Sequence, residues 1–217
     1  MISHQRFILL FDCIDVLDLS SIKNKEIIFF ASHRHKDHFD RSVAEALTSL
    51  HTTYILSSDI EGPFPQQDLT CRMAPYQEVT LGPLYVRTFS STDQGVSFYV
   101  ELLGKRYFHS GDLNWWHWTR MSPTELAKEE SDFKTEIEKI APLTIDFAFV
   151  PVDPRLKEHG LLAAQYFAQT VEPAYLIPMH SFGDYNYYLD LASRLDLGNT
   201  QLLECRESGQ KIWEEQD

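Results

Sequence analysis

The sequence has no C-x-x-C pair, no long apolar run, no internal repeat or Gly/Ser linker, and little positive charge. Each gap excludes something. Cys13, Cys71 and Cys205 are odd in number and far apart, so reduced thiols in a cytoplasmic protein are expected, not a disulfide frame or a sulfur-ligated zinc. No stretch approaches the roughly 18–20 apolar residues of a membrane span. The N-terminal apolar run is only about five residues and ends in Asp12, too short for a secretory signal. Lys and Arg number 19 against 32 Asp and Glu, a net charge of −13. A surface this acidic repels polyphosphate, so neither nucleic acid nor a membrane is an expected partner. What is there is a chain of 217 residues, 43% hydrophobic and 13% aromatic. That is enough for a sizeable core and argues against disorder; a single domain over 1–217 is expected.

Short runs rich in Ile and Phe at residues 7–11 and 27–32 have the composition of buried strands, and residues 54–56 read as another. Asp40 offers an N-cap to a helix over 41–50, where Val43, Ala44, Ala46, Leu47 and Leu50 make an apolar stripe. From 79 to 108 the pattern is strand-like, broken at Gly82-Pro83, Asp93-Gln94-Gly95 and Gly104, which predicts a meander of antiparallel hairpins. Ser122-Pro123 opens a charged helix that runs to about Ile140, either a lid or an exposed helix. Residues 147–151 and 174–178 read as buried strands around a helix over 161–169. A last helix over 185–195 and a last strand over 201–204 follow. Helices covering the outside of sheets is the economical arrangement.

The chemistry is concentrated in His33-Arg34-His35-Lys36-Asp37-His38. Alternate residues of an extended chain share a face, so His33, His35 and Asp37 project together, while Arg34 and Lys36 point away as surface charges. Neutral imidazole and carboxylate bind Zn²⁺ or a similar borderline metal while leaving room for water. This H-x-H-x-D-H pattern after an apolar strand resembles the metallo-β-lactamase superfamily of metal-dependent hydrolases. Further motifs of that superfamily have matches in order: Leu10-Phe11-Asp12, Ser110-Gly111-Asp112 and Ile177-Pro178-Met179-His180. The resemblance spans about Phe7 to His180. It implies an α/β (α+β) fold, a four-layered αβ/βα sandwich of two mixed, largely antiparallel sheets with helices outside and metals at one edge. It further implies that His33 and His35 serve one metal and Asp37 and His38 a second. Asp112 would bridge both and His180 would complete the second. Asp12 would orient the histidine loop, unless it only caps its strand.

The superfamily's third-motif histidine is missing: Ser91 or Thr92 stands in its place, and a hydroxyl is a weak donor to Zn²⁺. Three arrangements are open. Asp93 could supply an oxygen and move the preference from zinc towards Mn²⁺ or Fe²⁺. The first site could be empty, leaving one ion on Asp37, His38, Asp112 and His180, or both sites could be lost. The chain also begins six residues before Phe7, where the superfamily has a strand pair, so either one sheet edge is reduced or the true start lies further upstream. With one or two zinc ions bound, the implied chemistry is attack of a metal-bound hydroxide on a small-molecule ester, lactone or phosphoester. Asp37 would orient the water and take its proton, beside Asp112. Trp115 and Trp116, soon after Asp112, make either an aromatic wall to the pocket or core packing. The net charge disfavours nucleases of the superfamily, and the fold does not choose among the other substrates. The competing class is a non-catalytic or metal-depleted binding or sensing protein on the same fold.

Overall fold

In the computed structural model, which describes residues 1–15, 24–64 and 67–214, alternating side chains on central strands such as β3 and β10 face different cores. The first sheet holds β1 (Ile2–His4), β2 (Phe7–Phe11), β3 (Glu26–Ala31), β4 (Thr52–Ser57) and β5 (Thr70–Met73), in that order. The second holds β6 (Glu78–Leu81), β7 (Leu84–Ser90), β8 (Val96–Leu102), β9 (Lys105–His109), β10 (Phe147–Pro151), β11 (Tyr175–Met179) and β12 (Gln201–Leu202). Its order is β12-β11-β10-β9-β8-β7-β6. On β3, Ile28 and Phe30 face the second sheet, where Phe98, Val100 and Ile177 meet them. Ile27, Phe29 and Ala31 face outwards onto α1 (Arg41–Ala46). On β10, Phe147 points between the sheets, and Ala148 and Val150 pack under α2 (Pro123–Ile140) and α3 (Leu162–Val171). Four layers result, and each fully buried Ile or Phe contributes about 1.5–3 kcal/mol.

Both sheets are mixed, but parallel pairs predominate, which corrects the expectation of largely antiparallel sheets. Among the described residues, antiparallel pairing is confined to β1–β2 and to the β6–β9 meander; β2 to β5 and β9 to β12 pair in parallel. The reason is connectivity: α1, α2 and α3 each return the chain across its sheet, and a helical crossover joins strands of the same direction. One strand, β1, precedes β2.

The helix over 41–50 is α-helical to Ala46 and tightens into a 3₁₀ turn, Leu47–Ser49. The expected helix over 185–195 is broken. A 3₁₀ turn at Tyr185–Tyr188 and the short α4 (Leu191–Arg194) flank an extended Leu189 and a left-handed Asp190, with φ of 58°. The buried Tyr188 donates its hydroxyl to the Met179 carbonyl at 2.6 Å, a tertiary tie that fixes the first turn against β11. The helix α2 is no lid: Phe133, Ile137 and Ile140 are in the core under the second sheet. Among the described residues, no helix is long and apolar enough to cross a membrane.

Candidate metal centre

Parallel strands end at a common edge, and the candidate residues follow strand ends there: Asp12 after β2, residues 33–38 after β3, Asp112 after β9 and His180 after β11. The β7–β8 loop closes on the same edge. The Val96 amide donates to the Ser32 carbonyl at 2.9 Å. A Cβ on Gly95, whose φ is +72°, would lie 1.9 Å from that carbonyl oxygen. Gly111, with φ of +53°, approaches Ser32 from the other side, where a Cβ would meet the Ser32 Cβ at 2.7 Å. Only glycine permits either approach.

Asp12 organises the histidine loop. Its Oδ1 accepts from the Ser32 amide and its Oδ2 from the Ser32 hydroxyl, both at 2.7 Å. His38 Nδ1 lies 2.7 Å from Oδ2, which turns His38 Nε2 towards Asp112. Burial alone would raise the Asp12 pKa, but the His38 hydrogen bond and nearby charge outweigh it and hold the carboxylate below its ordinary value. His38 answers in kind: burial would lower its pKa, yet carboxylates at both ring nitrogens hold it up at about 10.

Two groups of ligand atoms converge around Asp112. In the first, His33 Nε2 lies 2.9 Å from His35 Nδ1 and 3.6 Å from Asp112 Oδ2, and His35 Nδ1 lies 3.8 Å from Asp93 Oδ2. In the second, Asp112 Oδ1 lies 3.2 Å from His38 Nε2 and 2.9 Å from His180 Nε2. Asp112 Oδ1 and His180 Nε2 are buried and, despite their closeness, neither has a hydrogen-bond partner of acceptable geometry among the described residues. Buried ligand atoms crowded around a point and left without a hydrogen bond fit a cation, and the imidazole and carboxylate donor set suits Zn²⁺, Mn²⁺ or Fe²⁺. Burial pushes the Asp112 pKa up, but contact with His180 and His38 brings it far below the usual carboxylate range. Asp37 stands at the rim, 51% exposed and 3.9 Å from His38 Nε2, outside both groups.

The loop that lacks the third-motif histidine offers Asp93. The hydroxyls of Ser91 and Thr92 are spent on backbone: Ser91 Oγ accepts from the Asp93 amide, while Thr92 Oγ1 donates to the Asn114 carbonyl at 2.6 Å and accepts from the Asn114 amide. Sequence reasoning missed Asp153, which is fully buried, with its Oδ2 3.8 Å from His180 Nδ1. Its signal was a carboxylate two residues after β10, close behind a strand end as Asp12 is behind β2. Trp115 is not at the site: it packs on Phe133 and Tyr166 in the core, while Trp116 has its ring 6.5 Å from that of His180. The cavity of about 510 Å³ lined by Arg34, Lys36, Arg41 and Asp59 contains none of these ligands.

Two mixed sheets packed face to face, helices outside, and a His/Asp cluster at the shared edge define an αββα sandwich with a candidate metal centre. The chain has the metallo-β-lactamase fold. Its structure is similar to that of Igni18, a metallo hydrolase from the archaeon Ignicoccus hospitalis. The TM-score is 0.63 and the identity 15%, over 93% of this chain and 85% of that one. It is also similar to the metallo-β-lactamase fold protein YhfI from Bacillus subtilis, with a TM-score of 0.55 and 15% identity over 92% and 85% of the two chains. A mutant of CmlA, the diiron β-hydroxylase of Streptomyces venezuelae, matches with a TM-score of 0.52 and 12% identity, over 81% of this chain and 42% of that one. No family model matches the sequence, and no curated protein does.

Proposed function

We propose that this chain is a metal-dependent hydrolase of small-molecule esters, lactones or phosphoesters, with two divalent ions at the edge of the sandwich. The observation that carries the reading is the convergence of His33, His35, Asp93, His38 and His180 around a buried Asp112 whose Oδ1 lacks a hydrogen bond among the described residues.

His33, His35, Asp93 and Asp112 would hold the first ion, and His38, His180 and Asp112 the second. Asp93 makes the first site richer in oxygen than a three-histidine set, which favours Mn²⁺ or Fe²⁺ beside zinc. Bound there, the ions supply Lewis acidity and a water of near-neutral pKa. Asp12 holds the His38 proton at Nδ1, leaving Nε2 free as a ligand atom. Asp37, the exposed carboxylate nearest His38, accepts the proton of the attacking water at its Oδ2. The net charge of −13 favours small substrates over polyanions, and the three unpaired cysteines suit a reducing cytoplasm.

Metal analysis of the chain purified without chelator tests this reading. About two equivalents are expected, falling to about one in Asp93→Ala. His38→Ala and Asp112→Ala should fold but lose hydrolysis of generic ester and phosphodiester reporters. Metal below about 0.1 equivalent, or unchanged rates in both variants, would overturn the proposal and favour a binding or sensing role.

A further inference from the structure

Beside His180 the site has a second wall that metal ligation does not use. Arg155 donates from Nε to both oxygens of Asp153, at 3.0 and 3.1 Å, and from Nη2 to Oδ2 at 2.6 Å. Its side-on edge is thereby spent on a buried carboxylate. The guanidinium carbon lies 3.8 Å from the centre of the Phe182 ring and 5.7 Å from that of Trp118. An arginine has five N–H donors in a fixed fork, and the two hydrogens of Nη1 and the outer one of Nη2 have no acceptor among the described residues. The end-on edge is therefore fixed in place and free.

That edge belongs to the same site. Asp153, which holds Arg155, lies 3.8 Å from His180. The Phe182 ring centre is 5.4 Å from that of His180, and Trp116, 6.5 Å from His180, stacks on Trp118 at 6.0 Å and 3°. Trp116 is 8% exposed, and its indole N–H has no acceptor among the described residues. The Arg155 side chain is 43% exposed and Phe182 50% exposed, so guanidinium and ring are open to solvent. His180 and Phe182 both have left-handed backbones, with φ of 70° and 48°. Strain of this kind persists where the surroundings over-determine it, and it clusters at ligand-binding loops.

We propose that Arg155, with Trp116, Trp118 and Phe182, forms an anion subsite that takes a carboxylate or phosphate group of the substrate and seats the adjoining planar part against the rings. The proposal rests on the hydrolase reading for what happens to that substrate, and it narrows the substrate class to small organic acids or phosphates. A purely structural Arg155 needs only its edge on Asp153; the fixed free edge beside the exposed Phe182 ring is what a ligand anion satisfies. Because ordering is complete before binding, little entropy is lost when the anion arrives.

The test is a titration of the zinc-loaded chain, followed by tryptophan fluorescence, with phenylphosphonate, benzoate, methylphosphonate and neutral benzyl alcohol. Phenylphosphonate or benzoate should bind at least about tenfold more tightly than benzyl alcohol; which of the two is tighter separates a phosphate from a carboxylate substrate. Phe182→Ala, at an exposed position, should bring phenylphosphonate down to the affinity of methylphosphonate. Arg155→Gln should weaken anion binding about tenfold or more at unchanged zinc content. Arg155→Lys keeps a charge opposite Asp153 but has no second edge, and is expected to weaken it about as much, which decides the matter if Arg155→Gln does not fold. Anion affinity unchanged in Phe182→Ala and in the folded Arg155 variants would overturn the subsite, since the anion would then be held by zinc alone. If the chain binds no zinc, the metal reading fails by itself, and the same comparison of anion with neutral probe on the metal-free chain decides the role of Arg155.

Discussion

His109 sets an acid limit on the site through a single ring. It is stacked on Phe11 at 5.0 Å, accepts the Gly111 amide at Nδ1, and lies 3.8 Å from Asp12. Burial pushes its pKa down to about 4, against the pull of Asp12. In the unfolded chain the group titrates near 6.5, so between pH 6.5 and 4 the unfolded state takes up a proton that the folded state refuses. Its stabilising contribution is present above pH 6.5 and is lost as the pH falls towards 4. Thermal melts of the chelator-treated protein should show the melting temperature falling through that window, with a shallower fall in His109→Asn. An identical slope in the variant would assign the acid sensitivity elsewhere. At this scale the sequence was legible where chemistry and spacing coincide, as in His33, His35, His38 and Asp112. It was not legible at Trp115 and Trp116, which are adjacent and equally aromatic, because which of two neighbours faces the core depends on the path of an irregular segment.

The helix α2 shows what an element contributes beyond its own stability. Ser122 and Glu125 form a capping box at its start, which the Ser-Pro signal located. The pattern of charges gave no sign that Glu136, 5% exposed, would accept the Ser90 amide at 2.7 Å and the Tyr76 hydroxyl at 2.8 Å. Those bonds tie α2 to the end of β7, just before the loop that carries Asp93. Glu136→Ala would leave a backbone donor unpaired and should destabilise the fold by about 2 kcal/mol, seen as a melting temperature lower by roughly 4–8 °C in a domain of this size. A shift below about 1 °C would mean that water replaces the carboxylate. Strand existence was equally plain from apolar composition, whereas strand direction was not, because pairing in parallel is decided by where the crossover helices return the chain.

Over the whole molecule, the candidate centre joins loops from both sheets, so ions bound there would link the two halves of the sandwich. Binding to the folded state alone at a thousandfold excess over Kd stabilises by about 4 kcal/mol, or roughly 8–16 °C in melting temperature for a chain of this length. Calorimetry with Zn²⁺ or Mn²⁺ and then with chelator should show that difference. Equal melting temperatures would mean that the cluster holds no ion in the folded protein.

The sequence by itself determined the apolar strands, the helix caps, the charge of −13 and the residues with metal-ligand chemistry, because these depend on local composition and spacing. Only the tertiary structure decided that Asp93, and not Ser91 or Thr92, faces His35, that Asp153 stands behind His180, and that Arg155 keeps a free edge. Those facts arise where strand ends from two sheets meet, between residues as far apart in the chain as Asp12 and Asp153. No local pattern encodes such distances; they follow from the register of the sheets and the close approach that Gly95 and Gly111 allow.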